Sequence, residues 1–306
     1  MARHGVDRQS IAQALEDIRG RTFGYWHGLQ YGGLALNDLR RMCDDLHDHI
    51  AARTLDDPSL GDAHARQALE AGSEGAFGVL SLGCFPSGDF DISFPLADRE
   101  LRSGEGVTFE DVVEFAPTTE HWLDAFAWAV TSGLVHERDR VLGLLLRSDY
   151  APAIREGVPY SRLESTSSPA GLAEMNALCL YLTEASGHRP GDWPTTALRK
   201  PDAAERAAAA RDLDAASAST PATPDQRLLR VLLDDDRPAF EAALTDRLVR
   251  LSTETPAAAP PRTLLPLLTI ALTALAVQVH GWQLDLESHY LPESLIQTPG
   301  RPSRTS

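Results

Sequence analysis

Apolar residues recur along most of this chain with the period of an α-helix, and in one stretch they leave almost no room for polar ones. From Leu264 to Val279 the only polar side chains are Thr269, Thr273 and Gln278, so no hydrophilic face remains for water and a helix there has to be buried. Amphipathic partners for it are predicted on both sides. Ile11, Ala14, Leu15 and Ile18 mark a short helix over 6–18, with Asp7 as N-cap and Gly20 at its end. Residues 21–36, RTFGYWHGLQYGGLAL, mix aromatics with glycines and read as a loop whose rings anchor it to a core. Leu39, Met42, Cys43, Leu46 and Ile50 then form one stripe of a helix over 37–53 that Asn37 would cap. Ala68, Leu69, Phe77 and Leu80 define another over 62–82, in which Gly72, Gly75 and Gly78 permit close helix contact.

After a glycine-rich break at 83–88, Phe90, Ile92, Phe94 and Leu96 alternate, which predicts a short extended arm within 89–101. Thr108 and Phe109 open a short helix ending at Val113, and Thr118 or Thr119 caps an aromatic helix that Gly133 closes. The next helix is expected to start at His136 and to carry Val141, Leu142, Leu144, Leu145 and Leu146, followed by a turn-rich bridge over 148–160. Pro169 behind Ser167 or Ser168 begins a helix to about residue 185, and Asp202 caps an alanine-rich one. Over 224–251, two apolar faces separated by Asp234, Asp235 and Asp236 predict an antiparallel helical hairpin. A brief alternation over 283–288 and a loose tail at 299–306 complete the chain. The expected fold is all-α: about ten to twelve antiparallel helices around the buried C-terminal helix, with at most a minor β element. Residues 1–298 would form one domain whose halves, 1–160 and 161–298, share a core.

Composition adds few constraints on the fold and more on function. With 43% hydrophobic and 24% charged residues the balance is ordinary for a globular protein. The formal charge of −16, from 44 acidic against 28 basic residues, argues against a phosphate-binding surface and for a basic partner. Three scattered cysteines, Cys43, Cys84 and Cys179, fit reduced thiols in a cytosol, and the N-terminus lacks the apolar run of a secretory signal. The greasy stretch falls short of the roughly 20 apolar residues of a membrane span, so no membrane association is expected. Lys200 is the only lysine and alanine is abundant, which reads as the coding bias of a GC-rich bacterial gene.

Candidate chemistry is sparse. Asp44, His47 and Asp48 share a helix face as metal ligands would, but no second ligand cluster accompanies them, and a solvated charged face is the expectation. Asp234 to Asp236 could hold a cation or partner, although capping and the helix dipole already account for carboxylates there. Cys84 has no base-and-orienter arrangement nearby, so a buried thiol is expected over a nucleophile. HERDR at 136–140 lacks the second histidine of a zinc-protease motif. No catalytic, cofactor-binding or metal residue is assigned.

The sequence LLPLLTIALTALAVQVHGWQLDLESHYLP, with the hairpin RLLRVLLDDDRPAFEAAL and the central ALCLYLTEA, resembles bacterial proteins of the immunity protein 49 family. The order apolar helix, H-G-W, alternating piece, S-x-Y-L-P is similar to the ending of such proteins, and the likeness spans roughly residues 7 to 298. It implies a cytosolic, non-enzymatic protein that binds and blocks a cognate toxin of a polymorphic toxin system. With the net charge, it points to a basic toxin, a nuclease for example, met by carboxylates of Asp44, Asp45 and Asp48 or of Asp234, Asp235 and Asp236. A helical scaffold for another protein and an α-helical hydrolase or metal enzyme share the same physical features, and the oligomeric state stays open.

Overall fold

A helix with no polar face is stable only where protein covers it, and the computed structural model places the greasiest stretch accordingly. The structure describes residues 1–32, 35–102, 113–187, 189–218 and 221–298. Helix α12, Leu267–Gln278, is buried from Thr269 to Ala276. Its inner hydroxyls are satisfied: Thr273 donates to the Thr269 carbonyl at 2.8 Å and Thr269 to the Asp225 carboxylate at 2.6 Å. By length and composition the stretch Pro261–Gln278 could cross a membrane; 67% of it is buried inside the protein, as in a core helix.

The N-terminal elements are α1 (Arg8–Leu15), α2 (Ile18–Gln30), α3 (Leu36–Arg53) and α4 (Ala63–Cys84). Asp7 caps α1 as expected, and Asp62 caps α4, each accepting backbone N–H groups of the first turn. Segment 21–36 is not a loop over most of its length. Glu16 ends α1 and Asp17 caps α2, and Phe23, Trp26 and His27 stack along α2, with the Phe23 and Trp26 rings 5.3 Å apart. These contacts, and the bond from Trp26 Nε1 to the Glu100 carbonyl at 3.0 Å, outweigh the helix cost of the glycines. Asn37 lies inside α3 instead of capping it, and the Asp38 carboxylate accepts the Ala35 N–H at 2.9 Å.

Helix α4 is the hub of the N-terminal part. Gly75 lets α3 approach so closely that a Cβ there would stand 2.8 Å from Cys43 Sγ and 2.9 Å from Met42 Cε, and Gly72 makes the same room for the Trp128 ring of α5 (Thr119–Ser132). The alternating arm is a hairpin, β1 (Asp91–Phe94) antiparallel to β2 (Arg99–Arg102), with buried Ile92 opposite buried Leu101; β1 packs on α4 and β2 on α2. The short helix expected over 108–113 and the tail at 299–306 lie outside the described residues.

In the middle of the chain two helix boundaries differ from expectation. The helix expected from residue 136 begins only at α6 (Leu142–Leu145), after 3-10 turns at Leu134–His136 and Arg138–Arg140. It then continues through a π-helical turn, Leu146–Tyr150, into α7 (Ala151–Arg155), so the first half of the supposed bridge is helical. Pro152 is the second residue of α7, directly after the π-helical turn. Helix α8 (Pro169–Cys179), capped by Ser168, stops six residues short of 185. The Arg147 guanidinium donates to the Cys179 carbonyl at 2.9 Å and to that of Leu182, satisfying groups that a longer helix would have used.

Asp202 caps α9 (Ala203–Ala216), Thr223 caps α10 (Pro224–Leu233), and α11 (Arg237–Glu254) packs on α10 as the expected hairpin. Residues 283–288 belong to no strand, and α13 (Glu293–Ile296) follows. Buried apolar side chains from Ile18 to Leu295 form one contiguous cluster, and apart from the hairpin the described fold is all-α.

Candidate functional site

The face of α3 that carries Asp44, His47 and Asp48 is covered instead of solvated. The 3-10 turn Pro261–Leu264 lies across it, and Arg262 clamps it there. The guanidinium donates to both oxygens of Asp48 at 3.0 and 2.8 Å and pairs with Asp44, while the Arg262 N–H donates to Asp48 at 2.7 Å. The Nε2–H of His47 donates to the Leu265 carbonyl at 2.7 Å, and its ring meets Trp128 edge-on at 5.7 Å. Nothing in the periodicity of α3 announces this, because the covering residues come more than 200 positions later. Asp45 lies apart, 3.3 Å from Arg21 and accepting from the Tyr25 hydroxyl at 3.2 Å.

The acidic turn is similarly engaged. Asp236 caps α11, accepting the Ala239 N–H at 3.0 Å. Asp234 pairs with Arg230, which also holds Asp214 at 2.9 Å. Asp235 adopts φ 60° and gathers Lys200 at 2.7 Å, Arg206 at 3.1 Å and His280 Nδ1 at 2.7 Å. Burial works to raise its pKa, but the Lys200 and His280 contacts prevail and hold the carboxyl below its ordinary range. Of the six carboxylates, Asp44 and Asp234 have side chains 44% and 51% exposed, the largest of the five whose ion pairs are described.

The cysteines are structural: all three are buried and reduced, and burial pushes Cys84 up to about 12 and Cys179 up to about 11, so neither is a ready nucleophile. Among the described residues no group of three or more His, Cys, Asp or Glu could hold a metal ion.

One concave site does collect polar groups. A cleft of about 250 Å³ lies over α4, with Ala76 and Val79 among its lining. One wall is α3, contributing Arg40, Cys43, Asp44 and His47; the other is α5, contributing His121, Asp124, Ala127 and Trp128. Pro266 to Thr269 at the start of α12, with Asp225 of α10 and Arg247 of α11, close the remaining side. Arg247 grips Asp225 through Nε at 3.1 Å and a terminal nitrogen at 3.0 Å. Burial pushes His47 and His121 down to about 4, so both are neutral at pH 7. His121 Nδ1 accepts the Thr118 N–H at 3.1 Å and its ring stacks on Phe115 at 4.8 Å, which leaves Nε2–H as a donor. Asp124 is an exposed residue of the cleft lining, and the packed groups around it, with the like charges of Asp44 and Glu120, raise its pKa above the ordinary carboxylate range.

Of the acidic residues singled out from sequence, the cleft contains only Asp44. Arg40, His121 and Asp124 were not anticipated. Their signal is spacing: 40, 44 and 47 on one helix and 121, 124 and 128 on another each fall on a single face. Two such faces become a site only when the fold sets them opposite one another.

The model of a family described as Immunity protein 49 matches residues 57–295. The matched region contains α4, α5, Asp234 to Asp236 and the closing side of the cleft, while α3 precedes it. No curated protein and no solved structure matches the chain.

Proposed function

Because the chain belongs to the Immunity protein 49 family, we propose that it is a cytoplasmic bacterial immunity protein that binds and neutralises a cognate toxin of a polymorphic toxin system. It acts by occupying the toxin's surface stoichiometrically and turns over no substrate. The family match over residues 57–295 carries this reading.

The physical features support it. Inhibition by binding needs a scaffold that does not rearrange and a surface complementary to the target. A contiguous core supplies the first. A net charge of −16 supplies long-range attraction toward a basic toxin, and a nuclease, with its phosphate-binding cleft, is the partner such a field suits. The contact carboxylates we propose are Asp44, Asp45 and Asp48 and the turn Asp234, Asp235 and Asp236, led by Asp44 and Asp234, whose side chains are the most exposed of the five that pair with cations. The rest hold arginine, lysine or a helix end in place, and thereby fix where that pair stands.

The test is growth. A sensitive host expressing the open reading frame beside this gene should die, and co-expression of this chain should restore growth. A lethal neighbour that still kills despite abundant soluble protein contradicts the proposal.

A further inference from the structure

Resting on the immunity reading above, we propose that the aromatic ridge of α2, formed by Phe23, Trp26, His27 and Tyr31, docks the toxin, and that the toxin segment seated there is apolar and carries a carboxylate that meets Arg99.

Helical spacing builds the ridge. Positions 23, 26, 27 and 31 fall on one side of α2, and their rings touch in series. Phe23 stands 5.3 Å from Trp26 and 6.2 Å from His27, while Tyr31 stands 4.7 Å from His27 and meets Trp26 edge-on at 6.2 Å. The core is reached from α2 through other residues, Ile18, Thr22 and Leu29. Phe23 is 42% exposed and Tyr31 69% exposed, and the bond from Trp26 Nε1 to the Glu100 carbonyl on β2 fixes the ring between them. Rings left in water add little to the fold. Held against one another, they offer a partner a broad apolar surface that loses little freedom on binding, and Trp, Tyr and Arg are the residues on which binding energy concentrates.

Gly24 points the same way. It lies inside α2, where a glycine weakens the helix, and a Cβ added to it would meet no atom within 4 Å. No packing within the chain requires a glycine at this position. Gly24 is exposed on the same side as His27 and Tyr31, so its missing side chain leaves a notch in which a partner can approach the helix backbone closely.

Charge selects the toxin over a second copy of this chain. Arg99 lies 5.5 Å over the Trp26 ring and donates to the Asp98 carbonyl at 2.8 Å, yet it has no carboxylate partner among the described residues, whereas Arg102 is held by Asp91 and Glu100. An exposed, unpaired guanidinium beside four rings, in a chain with 44 acidic residues against 28 basic ones, is a place for a partner's carboxylate. A symmetric dimer would set ridge against ridge, with an unpaired cation from each side, and join two chains of charge −16. A basic toxin meets neither repulsion: the acidic field brings it in, and the ridge retains it.

The test measures Kd by calorimetry for the toxin encoded beside this gene. Phe23→Ala and Tyr31→Ala should each raise Kd at least about tenfold while the melting temperature holds. Gly24→Gln removes no contact of the free chain and improves the helix, so it should raise the melting temperature and still weaken binding, an opposition that a purely structural role does not produce. Arg99→Gln should weaken binding several-fold. Val249→Ala, which truncates a side chain 42% exposed on α11, is the control and should leave Kd unchanged. Ridge variants that bind as the wild type does, or an equal loss in Val249→Ala, would overturn the docking surface. So would a free protein that sediments as a dimer and is split by Tyr31→Ala with the toxin Kd unchanged, because the ridge then belongs to a second copy. In each of these cases neutralisation by the wild type leaves the immunity function standing. A wild type that does not bind the toxin overturns both.

Discussion

Glu174, on α8, is a carboxyl with only 3% of its surface exposed; Oε2 accepts from Gln226 Nε2 at 2.9 Å and Oε1 has no partner. Burial pushes it from 4.5 up to about 7. Between those values the folded protein keeps a proton that the unfolded chain releases, so stability falls as pH rises through that window and stays lower above it. Glu174→Gln preserves an acceptor for Gln226 and cannot ionise. Its melting temperature should match the wild type near pH 4.5 and exceed it by a few degrees at pH 8, about 1 kcal/mol being worth a few degrees here. A variant less stable at both pH values would contradict this assignment. Legibility at this scale follows the range of the interaction. The caps Asp7, Ser168, Asp202 and Asp236 were readable because their partners lie two or three residues away. The meeting of Asp124 with Asp44 and Arg40 in one cleft was not, because those two lie about 80 residues earlier in the chain.

At the scale of elements, the cleft depends on how close α5 can come to α4. A Cβ on Gly72 would run into the Trp128 ring, which the surrounding core holds in place, so Gly72→Ala should destabilise by about 1–3 kcal/mol and displace Trp128, visible in its fluorescence. An unchanged spectrum and melting temperature would show that the contact is slack. Arg262→Ala should release the 3-10 turn from α3 and leave Asp44 and Asp48 without their cation, at about 1–3 kcal/mol by chemical denaturation. An equal denaturation midpoint would mean the clamp contributes nothing. The apolar stripes made α3, α4, α5, α10, α11 and α12 legible, and the alternation of Phe90, Ile92 and Phe94 announced the hairpin. The failures sit where a distant group overrode local grammar. Arg147 takes the carbonyls that end α8, Trp26 ties a glycine-rich helix to β2, and Arg262 turns a polar face into an interface. Each partner is separated by tens to hundreds of residues, a distance over which periodicity carries no information.

For the whole molecule, net charge governs encounter and the local surface governs residence. Reversing Asp44 and Asp234 together to lysine changes the charge by +4, from −16 to −12. The association rate with the toxin should fall several-fold at low salt, with less difference at about 0.15 M, where screening sets in within about 8 Å. Stopped-flow rates equal to wild type at low salt would exclude these carboxylates from steering. The fold class and the family were legible from the C-terminal stretch, whereas the cleft emerged only from helices apposed in space. The central claim is that this chain protects by occupying its target, not by destroying it. It is tested by titrating purified toxin activity with purified protein and then recovering the toxin for mass analysis. Activity should fall linearly to zero at a fixed small-integer molar ratio, with the toxin intact and active again once separated. Complete inactivation by a small fraction of an equivalent, or recovery of a cleaved or modified toxin, would contradict the account.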